Sequence, residues 1–167
     1  NKLEEAVDTY KKAILIKSDF AEAYYNMGNT FQKQGKSEKS LEAYTKAILE
    51  RPDFTEAYNN MCISLTNARI TKHHSDLQTV ITSILRNNIC ARPRDLAYAT
   101  IGLLRFDPTI KKLFKEQPAQ NTLKLSYEKD IYKLTKIPLL LNLMRLSPLP
   151  DLRFEVNLSA IRSWFLQ

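Results

Sequence analysis

The first seventy residues repeat with a period of 34, and that period constrains the fold more than any single residue does. A shift of 34 aligns Tyr10 with Tyr44, Ala13 with Ala47, Ile14 with Ile48 and Leu15 with Leu49. The same shift sets Asp19 and Phe20 on Asp53 and Phe54. It also sets Glu22, Ala23, Tyr24, Asn26 and Met27 on Glu56, Ala57, Tyr58, Asn60 and Met61. A fixed period of this length marks a stack of like units, each unable to bury its apolar face alone.

One complete unit spans residues 21–54. Tyr24, Met27, Gly28 and Phe31 share one face of a helix. Gln34, Gly35 and Lys36 break the pattern, with glycine suited to a left-handed helix end. Leu41, Tyr44, Ala47 and Ile48 predict the buried stripe of a second helix, which Pro52 stops.

This unit resembles a tetratricopeptide repeat. Tyr24, Met27, Gly28, Phe31, Ala47 and Pro52 match the family pattern, Tyr44 takes the second-helix aromatic place, and Ser40 stands where alanine is usual. The resemblance covers about residues 1–70. Residues 1–20 read as the second helix of a preceding unit, with Ala6, Tyr10 and Ala13 in place and Ser18 instead of the closing proline. Residues 55–69 read as the first helix of a third unit, with Cys62 in the glycine place. Asn1 opens directly into a helical pattern, which points to a chain cut from something longer. The fold expected is all-α: an α–α superhelix of helical hairpins over residues 1–70, then a non-repeat helical lobe over residues 71–167 that caps the stack.

Beyond Thr71 the period fails, since His74, Gln78 and Ile81 occupy the small, aromatic and alanine places. Helices are still predicted. Residues 76–87 carry Leu77, Val80, Ile81, Ile84 and Leu85 on one stripe. Pro93 opens a helix with Leu96, Ala97, Ile101 and Leu104, and Asp107-Pro108 is a cap and first helical position. A looser helix is expected over 123–135, an apolar one from Pro138 to Leu146, and a last one after the Asp151 cap.

Residues 137–167 carry a leucine-rich helix, a Pro-x-Pro-Asp turn and an arginine-bearing amphipathic helix. They resemble the connector that follows such repeats in some bacterial methyltransferase proteins, which implies a docking segment of a larger enzyme. A third reading comes from charge. Residues 1–70 hold ten basic and ten acidic side chains, so the whole net charge of +7 falls on residues 71–167. A nucleic-acid-associated module would use that half, but the basic residues are scattered without an aromatic-rich motif, which disfavours nucleic acid.

Chemistry is hard to place on this chain. Three glycines, Gly28, Gly35 and Gly102, leave no phosphate loop. His73 and His74 are adjacent, so they point about 100° apart on a helix and cannot share a metal. No nucleophile elbow or metal motif is visible, so no catalytic residue, metal or cofactor is expected. Cys62 and Cys90 make no disulfide framework and read as buried free thiols in a reducing compartment, hence a cytoplasmic protein. No apolar run reaches the ~20 residues of a membrane span.

In the repeat family the first helix of each unit lines the concave surface. The resemblance therefore implies a peptide-binding groove built from Tyr25, Asn26, Asn29 and Lys33 in one unit and Asn59, Asn60 and Asn67 in the next. Amides donate and accept hydrogen bonds, as an extended peptide backbone does. Asn26 and Asn60 lie one period apart, similar to the asparagine ladder of the O-linked N-acetylglucosamine transferase family. The carboxylate clamp of other members is incomplete. Asn29 and Asn60 fit it, but Tyr25 replaces a lysine, and a buried carboxylate needs a cation. The expected partner is a protein or peptide, with self-association through the open end at residues 1–20.

Overall fold

The apolar spacing of three and four becomes eight helices among the described residues of the computed structural model. These residues are 2–66, 68, 70–87, 89, 96–115, 134 and 136–144. The helices are α1 (Lys2–Ile16), α2 (Ala21–Lys33), α3 (Ser37–Glu50), α4 (Thr55–Thr66), α5 (Ser75–Asn87), α6 (Ala97–Leu104), α7 (Pro108–Lys115) and α8 (Pro138–Leu143). No strand occurs among the described residues. The fold is all-α and begins with tetratricopeptide-type hairpins.

The α2–α3 hairpin shows why the unit folds as it does. Gly35 has φ +70°, the left-handed conformation that side chains disfavour. Its N–H donates to the Gln32 carbonyl at 3.0 Å, and the next N–H, of Lys36, donates to the Phe31 carbonyl at 2.9 Å. That pair of bonds is a Schellman end, and it turns the chain sharply into α3. On α3, Ser40, Leu41, Tyr44, Ala47 and Ile48 are all buried between α2 and α4. Arg51 is extended at φ −137°, as a residue before proline must be, and α3 stops there.

The third unit starts like the others and then departs. α4 buries Ala57, Tyr58, Met61 and Leu65, and packs on α3. α5 does not close a hairpin on α4; it lies against α3 and α8. Its stripe of Leu77, Val80, Ile81, Ile84 and Leu85 is fully buried, so the period-free helix has the core face expected of it. A polar seam fixes its start. Glu38, Glu42 and Lys46, spaced four apart on α3, meet Thr71, Lys72, His74 and Asp76. The Thr71 hydroxyl donates to Glu38 at 3.0 Å, and His74 Nε2 lies 3.4 Å from Glu38. Lys72 pairs with Glu42 at 3.0 Å, and Lys46 with Asp76 at 2.9 Å. Burial opposes ionisation of Glu38, but the Thr71 hydroxyl and His74 outweigh it and hold the carboxyl below its ordinary range.

Asp107 caps α7 as its sequence predicts, with Oδ1 accepting from the N–H groups of Thr109 at 2.8 Å and Ile110 at 3.2 Å. Pro138 begins α8, whose Leu139, Leu140 and Leu143 are buried. One continuous apolar core runs from Ala21 on α2 to Leu143 on α8. The helices expected over 123–135 and after Asp151 lie outside the described residues, Leu134 apart. No helix among the described residues is long and apolar enough to cross a membrane.

One expectation is overturned. Cys62 is disulfide-bonded, not a free thiol. The half-buried sulfur in the glycine place of α4 is an oxidised cross-link, so the cysteines give no support to a reducing compartment.

Candidate functional site

The first helices of adjacent units, α2 and α4, lie side by side, and their facing polar residues join in one network. Asn60 Nδ2, on α4, donates to Asn29 Oδ1 at 2.8 Å and to the Tyr25 hydroxyl at 3.1 Å, both on α2. The Tyr44 hydroxyl arrives from α3 beneath and donates to the same Asn29 Oδ1 at 2.7 Å, with Gln32 Oε1 at 3.1 Å. Helical spacing explains the convergence. Tyr25, Asn29 and Gln32 are four and three apart on α2 and so form one ridge.

Aromatic packing holds this ridge in place. The Tyr25 ring lies 4.9 Å from that of Phe54 and 6.0 Å from that of Tyr44, both tilted. The Arg51 guanidinium covers Phe54 at 3.5 Å from the ring centroid and pairs with Glu22. The Glu22 carboxyl is held below its ordinary range, first by its own backbone N–H at the start of α2 and then by Arg51 against slight desolvation. Burial pushes the Tyr44 phenol up to about 12, and the Tyr25 hydroxyl adds to that, so Tyr44 is a donor throughout the physiological range.

The network leaves defined groups open. Asn29 Oδ1 accepts two hydrogen bonds, which orients the amide with its Nδ2 outward. Asn60 donates twice, which turns its Oδ1 outward. Neither outward atom, nor the half-buried Asn26 amide, has a hydrogen-bond partner among the described residues. Lys33 and Asn59 are exposed beside this ridge, as is Ile63 at 57%. Asn67 lies outside the described residues.

Of the residues singled out from the sequence, Tyr25, Asn29 and Asn60 are therefore brought together, Asn26 lies one turn before Asn29, and Lys33 and Asn59 flank them. Sequence reasoning assigned Tyr44 to packing alone and missed its hydroxyl. A signal existed: a tyrosine rather than a phenylalanine in a fully buried slot requires a partner for its O–H. A second concavity was not foreseen. A cleft of 790 Å³ lies on the other side of α2, floored by Tyr24, Met27 and Phe31 and walled by α1 and α3.

Comparison with known families accounts for this geometry. A TPR repeat family model matches residues 1–35, and the tetratricopeptide repeat model matches residues 21–54. Neither match extends to the resemblance with the methyltransferase connector, of which residues 145–167 also lie outside the described residues. A comparison with curated proteins returns no match. Residues 1–54 thus carry tetratricopeptide repeats, which are generally protein–protein interaction modules.

Proposed function

We propose that the chain is a non-catalytic scaffold that docks an extended protein segment across α2 and α4, the concave face of the repeat stack. The observation that carries this reading is the outward pair at the α2–α4 junction. Asn29 offers N–H donors and Asn60 offers an acceptor, while Tyr44 and Tyr25 hold both amides still. Alternating donor and acceptor is what a peptide backbone presents, and pre-ordered amides lose little entropy when it binds. Asn26, Lys33, Asn59 and the exposed Ile63 extend the surface along both helices. Residues 71–167 act as a lobe that closes the stack beyond α4. Self-association through residues 1–20 is proposed as a separate contact.

A docking role inside a larger methyltransferase and a nucleic-acid role for the basic second half remain rivals that no feature of the α2–α4 face supports.

A peptide-array screen with the purified chain tests the groove, run beside an Asn29→Ala/Asn60→Ala variant of unchanged helicity. Binding that falls about tenfold or more in the variant supports the reading, since hydrogen-bond partners left unmade typically cost 1–3 kcal/mol. Binding that is indifferent to the change moves the site off this face. Binding that steepens with falling salt and is competed by nucleic acid would favour the basic half instead.

A further inference from the structure

The cleft behind α2 has no part in the groove, and the repeat supplies a control for it. Tyr24, Met27 and Phe31 on its floor are the counterparts, one period earlier, of Tyr58, Met61 and Leu65 on α4. The α4 set is 8%, 0% and 0% exposed, whereas all three floor residues of α2 are only half-buried. The cleft is enclosed by α1, α2, α3 and the start of α5. From α1 it takes Glu4, Val7, Asp8 and Lys11, centred roughly 140° around the helix from Ala6, Tyr10 and Ala13. On α3 the face matching those three carries Tyr44, which packs on Gly28 of the helix before it. A helix packed likewise on α1 would leave the cleft open.

Most charges of the cleft are paired, and those that are not gather at one end. Lys11 pairs with Asp8 at 3.1 Å, Lys46 with Asp76 at 2.9 Å and Lys72 with Glu42 at 3.0 Å, while His74 faces Glu38. Glu4, Lys36 and Lys39 are left without an ion-pair partner among the described residues. Short turns join α1, α2 and α3, so the start of α1, the end of α2 and the start of α3 lie together. Glu4 therefore stands on one wall of that end and the two lysines on the other, where the positive end of the α3 dipole adds to them. Gln34, at the end of α2, contributes a buried Oε1 with no hydrogen-bond partner. Farther along, Thr45 lines the cleft at 2% exposure, and its hydroxyl has none either. Thr30 and Thr82 instead bond the carbonyl four residues back. Buried polar atoms left open in this way call for a partner.

We propose that this cleft binds a free aromatic α-amino acid as its zwitterion. The carboxylate lies between Lys36 and Lys39, the ammonium donates to Glu4 and to Gln34 Oε1, and the ring rests on Phe31, Met27 and Tyr24. An acid on one wall and two cations on the other complement a head that carries both charges on one carbon, and neither charge alone. The Lys39 ammonium already stands 6.0 Å from the Phe31 ring centroid, so the places for head and ring adjoin. Thr45 is six residues beyond Lys39, about 9 Å along α3. A lysine arm and an aromatic side chain span that together, so an indole N–H or a phenol supplies the partner that the Thr45 hydroxyl lacks. The volume of 790 Å³ falls in the range of roughly 300–1,000 Å³ usual for small-molecule sites. The inference is independent of the α2–α4 groove, which uses the other side of α2.

Titration of L-tryptophan into the full chain, followed by NMR of labelled methionine methyl groups, tests it. The Met27 methyl should shift, and that of Met61, which is fully buried on α4, should not. Indole-3-propionate lacks the ammonium and tryptamine lacks the carboxylate, and each should bind at least about tenfold more weakly. Glu4→Gln should bring tryptophan down to the affinity of indole-3-propionate without weakening indole-3-propionate itself. Lys36→Gln with Lys39→Gln should bring it down to that of tryptamine. All three side chains are exposed, so these changes do not threaten the fold. A Met27 methyl that stays in place at millimolar tryptophan overturns the proposal. So do analogues that bind as well as tryptophan, or variants that bind it as well as the unsubstituted chain.

Discussion

The Tyr44 ring lies so close over Gly28 that a Cβ built on the glycine would sit 2.6 Å from Cε1 and 2.7 Å from Cδ1. The family's glycine is thus explained by contact rather than by backbone conformation. The absence of a side chain on α2 lets α3 approach, and that approach delivers the Tyr44 hydroxyl to Asn29. A change of Gly28→Ala should gain a little helix propensity and lose more to overpacking, for a net destabilisation of about 1–2 kcal/mol. Urea unfolding followed by circular dichroism measures it. Gly35→Ala should cost about 1 kcal/mol for a different reason, the positive φ, because nothing lies within 4 Å of the added carbon.

Tyr44 also predicts a pH signature. Its folded-state pKa is raised to about 12 from an ordinary value near 10. Raised means that the folded chain favours the protonated phenol. The stability this contributes is therefore fully present below about pH 10 and is lost as pH rises from there through about 12. Ultraviolet titration should show a late tyrosine ionisation, and Tyr44→Phe should remove that phase. An unchanged titration curve in the variant would show that the hydroxyl is not held as described.

The attachment of α5 divides into ion pairs and buried stripe, and the two should differ sharply in weight. Asp76 is held below the ordinary carboxylate range, first by its hydrogen bond from Lys46, but both side chains are about half exposed at 51% and 50%. Asp76→Asn should thus change stability by less than about 1 kcal/mol, and less still at high salt. Ile81→Ala removes a side chain with no exposed surface and should cost about 2–5 kcal/mol. Thermal or urea unfolding of the two variants side by side gives the comparison.

Oxidation state is the fourth measurable consequence. Cys62 is disulfide-bonded, and Cys90 is the sequence's only other cysteine. Non-reducing peptide mapping should therefore find no alkylatable thiol at Cys62 and a cross-linked peptide containing it. Adding a reductant should lower stability by about 2–4 kcal/mol, the usual effect of opening a disulfide. Full alkylation of Cys62 in the untreated chain would refute the bond.

How far the sequence reaches can be judged residue by residue. The 34-residue period located α1 to α4, the left-handed turn at Gly35 and the stop at Pro52, because each rests on local chemistry that repeats. The Asp107 cap and the buried stripes of α5 and α8 were legible for the same reason: helical spacing and capping act within a few residues. Of the candidate surface, the sequence supplied the amide-rich ridge and the kinship of Asn26 with Asn60, but not which groups stay open.

Contacts between elements far apart in sequence decided the rest. That Asn60 reaches back to Asn29 and Tyr25, and that Tyr44 emerges between them, follows from how α2, α3 and α4 close on one another. That α5 lies on α3 and α8 depends on where its stripe of Leu77, Val80, Ile81, Ile84 and Leu85 finds an apolar partner, with the seam of Glu38, Glu42 and Lys46 adding polar contacts at its start. The disulfide at Cys62 depends likewise on which neighbours are near. Local spacing determines which helices form and which face of each is apolar. Only three-dimensional packing determines which of those faces meet, and hence which polar atoms and charges are left for another molecule.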